Sequence, residues 1–219
     1  MLIATMFVLV QTALLGAAGD LPHLRLTPTR APTAADSVRG DSLVRVAREA
    51  VNRYQSVEAA EQDGYRVRLK TMKKAKTLHY TSLANGVRAR TVFDPARPTS
   101  LLYERDAEGE LQLVGVMYTA PASATLEELD ARVPLGLVQW HVHTNICLPT
   151  GSEARSASSY VGRNARFGPR GSITTEEACT AAGGRFRARS LGWMVHINVM
   201  SPDPWAPGRK HMHEGMQMD

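Results

Sequence analysis

Two segments near the carboxyl end of this chain alternate apolar and polar side chains, the pattern of a β-strand with one buried face. They span Leu135–Cys147 and Leu191–Met200. Their first faces carry Val138, Trp140, Val142 and Ile146, and Leu191, Trp193, Val195, Ile197 and Val199. Their second faces carry Gln139, His141, His143, Asn145 and Cys147, and Met194, His196, Asn198 and Met200. This shared design predicts a sheet with a core behind one face and histidines on the other.

An amphipathic helix and a β-hairpin precede these strands. Residues 41–63 carry apolar side chains at three- and four-residue steps, with Asp41 as a candidate cap and Gly64 as a stop. Two apolar runs, Thr99–Arg105 and Leu111–Thr119, flank a short turn that contains a glycine, as in a hairpin. We therefore predict an α+β fold: a curved antiparallel sheet with an N-terminal amphipathic helix packed on it.

Two Thr-x-x-Glu sequences predict further short helices. In such a capping box the two side chains bind backbone N–H groups at the start of a helix. Thr125 with Glu128 forms the first box. Thr174 with Glu177 forms the second, which opens a helix that carries Cys179.

The first 18 residues form an uncharged apolar run that is typical of a secretory signal. It ends in small residues, Gly16–Ala18, which a signal peptidase accepts, so residues 1–19 are expected to be a signal peptide. An uncleaved membrane anchor is the alternative, because a spanning helix needs about 20 residues. Residues 20–40 are rich in Pro, Thr, Ala and Arg and are expected to form a disordered linker. Residues 41–219 are expected to form a single domain with a mobile carboxyl-terminal tail, in a secreted or periplasmic protein.

Cys147 and Cys179 are the two cysteines of the chain. In an oxidising compartment a disulfide between them is the expected state. In the chain-entropy account, closing a loop of this length stabilises the fold by about 3–4 kcal/mol. The alternative is a free Cys147 thiolate that joins His141 and His143, with Met194 or Met200 nearby, in a ligand set that resembles a copper electron-transfer site. Pro149 suggests that the strand is ending there and disfavours this alternative.

The net charge of +5 rests mostly on arginine and does not indicate a nucleic-acid-binding protein. Basic side chains cluster between Arg66 and Lys76, but no aromatic residue lies among them and they match no nucleic-acid-binding module. We interpret the stretch as a solvated basic face and expect no nucleic-acid partner. A membrane partner is expected only if the N-terminal segment stays uncleaved, and the oligomeric state is left open.

His141 and His143 stand two residues apart on one predicted strand, so both imidazoles point to the same side. Ring nitrogens arranged in this way can meet one metal ion at about 2.0–2.2 Å. His196, on the polar face of the other late strand, is the expected third ligand, and His79 is a possible fourth. A histidine set without clustered carboxylates favours copper or zinc over calcium or magnesium. The alternative is that these histidines are plain polar residues on a solvated face.

The carboxyl-terminal tail carries further soft ligands. His211, Met212, His213 and Met216 supply imidazoles and thioethers, which suit Cu(I). The tail is therefore a second candidate for metal binding. The alternative is a frayed end whose composition is accidental.

Signatures of common enzyme classes are missing from the sequence. It has no Walker-type glycine loop, no Gly-x-Ser-x-Gly elbow and no His-Glu-x-x-His helix. Glu104 is a weak candidate for a general base, and its alternative role is a surface charge at a strand end. The leading hypothesis is an exported protein that binds a transition metal. The alternatives are a metal-dependent enzyme with an open coordination position and a metal-free envelope binding module.

Four motifs within residues 50–146 resemble those of a group of uncharacterised secreted bacterial proteins. The motifs are Asp63-Gly-Tyr65, His79-Tyr80, Pro98-x-x-Leu-Leu-Tyr-Glu104 and Leu113-Val-Gly-Val-x-Tyr118. A later strand that bears histidine is also usual in this group. The resemblance implies export and a shared fold, and it supplies no activity.

A looser likeness is to the cupins, whose first motif places His-x-His after a glycine, as Gly136 precedes His141 and His143. The glutamate that cupins place shortly after the pair is absent here. The Pro-x-Gly of the second cupin motif is also absent ahead of His196. As an alternative fold, this likeness implies a cupin-like β-barrel.

Overall fold

An eight-stranded antiparallel sheet is the main element of the computed structural model, which describes residues 20–67, 77–151, 157–159 and 165–205. The strands are β1 (Asp20–Leu21), β2 (Leu24–Leu26), β3 (Arg66–Val67), β4 (Thr77–Thr81), β5 (Ser100–Arg105), β6 (Leu111–Ala120), β7 (His141–Leu148) and β8 (Arg185–Ile197). Their order across the sheet is β1-β2-β7-β8-β6-β5-β4-β3. Because β1 and β3 are the two edges of an open sheet in the described residues, the expected curved sheet, and not the alternative barrel, is confirmed.

Five α-helices accompany the sheet in the described part of the chain. They are α1 (Ala34–Val51), α2 (Val57–Gln62), α3 (Leu83–Arg88), α4 (Leu126–Arg132) and α5 (Glu176–Ala181). The predicted hairpin is confirmed as β5 and β6, whose connecting turn uses Gly109 at a φ of 89°. The capping box of Thr125 and Glu128 begins α4 as predicted.

The main hydrophobic core lies between α1 and one face of the sheet. The helix buries Leu43, Val44, Ala47 and Val51, which share one side of it. The late strands contribute Trp140, Val142, Trp193, Val195, Ile197 and Val199, and the hairpin contributes Leu101, Tyr103, Val116 and Tyr118. Neighbouring residues of a strand point to opposite sides, so the histidines of β7 and β8 lie on the face away from α1.

The first helix begins and ends earlier than the sequence pattern indicated. Its cap is Thr33, whose hydroxyl accepts a hydrogen bond from the Asp36 N–H at 3.1 Å, while the Asp36 carboxylate accepts one from the Thr33 N–H at 2.8 Å. Asp41, the predicted cap, lies exposed inside the helix. After Val51 a 3₁₀ turn interrupts the helical path, and Ser56 caps α2. The signal for the earlier start is a capping box with aspartate in the position usually held by glutamate.

The expectation of a disordered linker over residues 20–40 is wrong. This segment forms β1, β2 and the first two turns of α1. β2 pairs with β7 along Leu24–Leu26, and the Thr27 hydroxyl accepts a hydrogen bond from the N–H of Trp140 at 3.0 Å. Backbone pairing orders the segment, because β7 would otherwise expose a row of unpaired N–H and C=O groups.

The strand that carries the first two histidines is shorter than predicted. β7 begins at His141 and not at Leu135. The N–H groups of Leu137 and Val138 both donate to the carbonyl of Pro134, so the chain turns before it extends.

Two more boundaries differ from the prediction. β8 begins at Arg185, six residues before Leu191, so the final strand is longer than its apolar run. Leu191 itself is 74% exposed at a φ of 65°, and it leaves the apolar face to which it was assigned. The last helix, α5, is capped by Thr175 and not by Thr174.

A buried carboxylate fastens the start of α1 to the neighbouring helix α4. The Asp36 side chain is 3% exposed and binds the guanidinium of Arg30. The same guanidinium donates to Asp130 at 2.6 Å. Hydrogen bonds from Arg30 hold the pKa of the Asp36 carboxyl well below its usual range. Asp36 is therefore ionised throughout the neutral and mildly acidic range.

Acidification is expected to destabilise the fold through this carboxylate. A group whose pKa is lowered by folding stabilises the native state above its unfolded pKa, about 3.9 for aspartate, and loses that contribution as the pH falls further. We expect the free energy of unfolding to fall by on the order of 2 kcal/mol between neutral and strongly acidic pH from Asp36 alone. Urea denaturation at both pH values measures the change. Asp36→Asn should lack this contribution and Asp41→Asn, exposed on the same helix, should keep it; equal pH slopes in both variants would contradict the assignment.

The terminal segments lie outside the described residues. The expected signal peptide, residues 1–19, and the tail ligands, in residues 206–219, both belong to them. Within the described residues, no helix is both long enough and apolar enough to cross a bilayer.

Candidate metal centre

Three strands present histidines on the sheet face that lies away from α1. His79 on β4 stands between Leu78 and Tyr80, which are both buried in the main core, so its own side chain points to the opposite face. The same alternation places His141 and His143 around the core residue Val142 on β7. It also places His196 between Val195 and Ile197 on β8.

The histidines surround a small apolar floor. Leu102, Met117 and Met194 form a separate buried cluster on this face. Each floor residue is the cross-strand neighbour of one histidine. The pairs are His79 with Leu102, His196 with Met117, and His141 with Met194. Directly paired side chains have Cβ atoms about 4.5–5.5 Å apart, so every one of these imidazoles borders an apolar side chain.

The four imidazole rings form one contiguous cluster. The ring centroids of His79 and His196 are 5.1 Å apart, and those of His141 and His196 are also 5.1 Å apart. His143 follows at 5.6 Å from His141. His196 therefore lies between His79 and His141 and contacts both rings. The structure thus brings together all four histidines that the sequence singled out on strands.

Curvature of the sheet makes this clustering possible. Two strands, β5 and β6, separate His79 on β4 from His196 on β8. Neighbouring strands are about 4.8 Å apart, so a flat sheet would hold these two backbones about 14 Å from each other. The contact between the two rings requires the sheet to bend toward the histidine face. The cluster accordingly lies in the concavity of the sheet.

An irregularity in the ladder lies directly beside the histidine pair. His141 is opposite Met194, but His143 is opposite Ser190, so β8 carries two extra residues there. The bulged segment contains Leu191 at positive φ and Gly192, where a Cβ would collide with the carbonyl oxygen of Ala120. Bulges of this kind bend a strand and redirect side chains, and they are frequent next to functional sites.

The state of the rings suits metal binding. Although part of its surface is exposed, the His79 ring is largely enclosed, and this burial lowers its pKa to about 4, with the nearby His143 acting in the same direction. His79 is therefore neutral at pH 7, the form in which imidazole binds a metal. Two further ring nitrogens, Nδ1 of His143 and Nε2 of His196, are buried.

The orientation of the rings is that of packed aromatic side chains. Interplanar angles are 80° for His79 with His196, 83° for His141 with His143 and 58° for His141 with His196. As they stand, no group of three or more His, Cys, Asp or Glu side chains in the described residues is arranged to hold a metal ion. The distances between ring centroids are nevertheless compatible with a shared metal ion, because imidazoles on one tetrahedral ion place their centroids about 5 Å apart. Convergence of the nitrogens needs rotations about χ2, a torsion with a broad minimum in histidine.

The other candidate residues are a disulfide-bonded cysteine, a carboxylate on the strand beside His79, and tail residues outside the described part of the chain. Cys147 and Cys179 form the predicted disulfide, with their Cα atoms 5.5 Å apart, so Cys147 is not a thiolate ligand. The carboxylate of Glu104 accepts a hydrogen bond from the Thr77 hydroxyl at 3.1 Å on the neighbouring strand. The tail candidates, including His211 and His213, lie outside the described residues.

One buried histidine carries no signal in the sequence. His23 is 7% exposed, and its Nδ1 and Nε2 atoms lie 3.0 Å and 2.5 Å from the carbonyl oxygens of Asn145 and Gly171. It fastens the β1–β2 connection to β7 and to the loop around Gly171. A lone histidine in a segment without periodicity gives no indication of such a role.

Two surface cavities of the described residues lie away from the cluster. One cavity lies beside Tyr118 and Arg97, and another lies beside Asp130 and Leu135. Neither is lined by any of the four histidines.

No family model, no curated protein and no solved structure matches this chain. The four-histidine cluster is therefore the main indication of function.

Proposed function

We propose that this chain is an exported protein that binds one transition-metal ion, copper or zinc, through His79, His141, His143 and His196. The observation that supports the proposal most is the contact of four imidazole rings contributed by three strands. For three of the six ring pairs the centroids are 5.1–5.6 Å apart, close to the spacing of about 5 Å for imidazoles that share a tetrahedral ion.

The chemistry of the donor set supports copper or zinc. Imidazole nitrogens bind both metals well, whereas calcium and magnesium require oxygen ligands. His79, His196 and His141 have Leu102, Met117 and Met194 as cross-strand neighbours, and these side chains offer no oxygen atom. His143 is opposite Ser190, whose hydroxyl is not a carboxylate. A neutral His79 at pH 7 supports binding without loss of a proton.

Export is supported by two independent features. The sequence begins with an uncharged apolar run, and the Cys147–Cys179 disulfide is the cysteine state expected in an oxidising compartment. The resemblance to secreted bacterial proteins points in the same direction. Binding of copper or zinc outside the cytoplasm is consistent with the apolar run, the disulfide and the resemblance.

Binding is favoured over catalysis by the surroundings of the cluster. An enzyme of this kind needs an acid or base beside the metal and a cleft for its substrate. Glu104 is hydrogen-bonded to Thr77, and neither described cavity touches the histidines. A metal-binding protein without a substrate site accounts for these observations with fewer assumptions.

The metal content of the full chain tests the proposal. After loading with Zn(II) and dialysis, the wild type is expected to retain about one zinc ion per chain. His141→Ala/His143→Ala should retain far less, because two of the four ligands are gone. His211→Ala/His213→Ala, the matched control in the tail, should retain the wild-type amount. Equal zinc in the strand variant and the wild type would overturn the proposal, and so would loss of zinc from the tail variant alone.

A further inference from the structure

Two methionines occupy the floor of the histidine cluster. Met117 and Met194 are both buried and belong to the same small apolar cluster as Leu102. Met117 is the cross-strand neighbour of His196, and Met194 is the cross-strand neighbour of His141. Both thioethers therefore border the two histidines at the centre of the ring contacts.

Met117 lies between the two strands whose histidines, His79 and His196, are in contact. His79 and His196 meet across β5 and β6, the strands that carry Leu102 and Met117 on this face. The side chains of these two intervening residues accordingly lie beneath the paired rings. Met194 lies on β8 two residues before His196, on the same face and opposite His141. Both methionine side chains are thus buried on the histidine face, next to the rings.

Thioether sulfur distinguishes between the two candidate metals. Zinc in proteins takes imidazole nitrogen, thiolate sulfur and carboxylate oxygen. Methionine thioethers are soft ligands that suit Cu(I), and imidazole serves copper as well. A mixed set of imidazoles and thioethers therefore selects the reduced copper ion. Methionine also fills irregular gaps in ordinary cores. A methionine that only packs does not contribute to copper affinity, whereas a thioether ligand does.

Resting on the proposed function, we propose that Met117 and Met194 supply thioether ligands beside His141 and His196, and that the site is selective for Cu(I). Zn(II) then binds through the imidazoles alone. The two methionines contribute to copper affinity and leave zinc affinity untouched. The rings remain necessary for both metals.

Conservative variants separate the methionines from the histidines. Met117→Leu/Met194→Leu keeps the volume of the floor, and such exchanges usually destabilise a core by less than about 1.5 kcal/mol each. Met200→Leu is the matched control, because Met200 packs against the main core on the other side of the sheet. Affinities of the full chain are measured by competition with chromophoric chelators for Cu(I) and for Zn(II). Ascorbate keeps the copper reduced in oxygen-free buffer without opening the disulfide.

The expected result is a selective loss. The double methionine variant should bind Cu(I) about tenfold or more weakly than the wild type, with Zn(II) affinity changed by less than about twofold. Met200→Leu should match the wild type for both metals. Unchanged Cu(I) affinity in the double variant, with Zn(II) still bound by the wild type, overturns the methionine assignment and leaves the proposed function standing. Failure of the wild type to bind either metal overturns both.

X-ray absorption on the copper-loaded wild type can overturn the assignment without any variant, and a comparison with Met117→Leu/Met194→Leu attributes the sulfur shell to these two methionines and not to the tail. A sulfur shell at the Cu(I) edge, in addition to nitrogen, is the expected result. A coordination shell of nitrogen alone overturns the assignment, even if the double variant fails to fold.

Discussion

Replacing His196 with alanine is expected to lower the Zn(II) affinity of the full chain by roughly 100-fold or more. Even partners that only orient metal ligands typically contribute about 10–100-fold, so a central ligand should contribute at least as much. His196 is central because its ring contacts both His79 and His141, each at 5.1 Å between centroids.

The same geometry predicts an order among the variants. The ring centroid of His143 is 5.6 Å from that of His141, farther than the two 5.1 Å spacings of His196, so His143→Ala should weaken zinc binding less than His196→Ala does. Isothermal titration with Zn(II) measures both affinities directly. A second readout is thermal: a ligand at about 100 times its Kd stabilises the native state by about 2.7 kcal/mol, and this shift should vanish in His196→Ala.

Two controls keep this result specific to the strand site. The first control is Thr119→Ala. Thr119 lies on β6 opposite Met194 and is not one of the proposed ligands, so this variant should bind zinc as the wild type does. His211→Ala/His213→Ala should also bind zinc normally. An equal loss from His143→Ala and His196→Ala would argue against a centre built around His196. Full zinc affinity in His196→Ala would exclude this residue as a ligand.

Local sequence signals predicted the elements that local interactions form. The hairpin of β5 and β6 needed only two apolar runs and a turn with Gly109, and α4 needed only its capping box. The faces of β7 and β8 followed from alternation, which fixes side-chain direction whatever the partner strand is. The order of residues alone was therefore enough to assign His141, His143 and His196 to the polar faces of their strands.

Long-range features of the fold left no such signal. β2 is ordered by backbone bonds to β7, and backbone bonds do not depend on the side chains that periodicity detects. The contact between His79 and His196 depends on sheet curvature across four strands, which no single segment encodes. Likewise, the place of Met117 under the rings depends on the register of β6 against β8. The sequence could name His79 as a possible ligand, but only the assembled sheet brings it to the others.

Removal of the disulfide is expected to have the largest effect on stability. Cys147 and Cys179 are separated by 32 residues along the chain, and closing a loop of this length stabilises a fold by about 3–4 kcal/mol in the chain-entropy account. Both cysteines are fully buried, in a small cluster with Phe167 and Ile173 that joins α5 to β7. Gly184 packs so closely against the two sulfur atoms that a Cβ there would collide with them. The bond therefore fastens α5 and the start of β8 to the end of β7.

Cys147→Ala/Cys179→Ala should accordingly lower the free energy of unfolding by about 3–4 kcal/mol, measured by urea denaturation under oxidising conditions. The wild type in the presence of a thiol reductant should show a similar loss, and the double variant should not respond to the reductant. Zinc affinity below the unfolding transition should stay near that of the wild type, because Cys147 lies four residues beyond His143, toward the far end of β7. If the double variant stayed folded but lost zinc, the disulfide would be a positioning element of the metal centre. If its stability equalled that of the wild type, the close packing around the two sulfurs would hold this end of the sheet without the covalent bond.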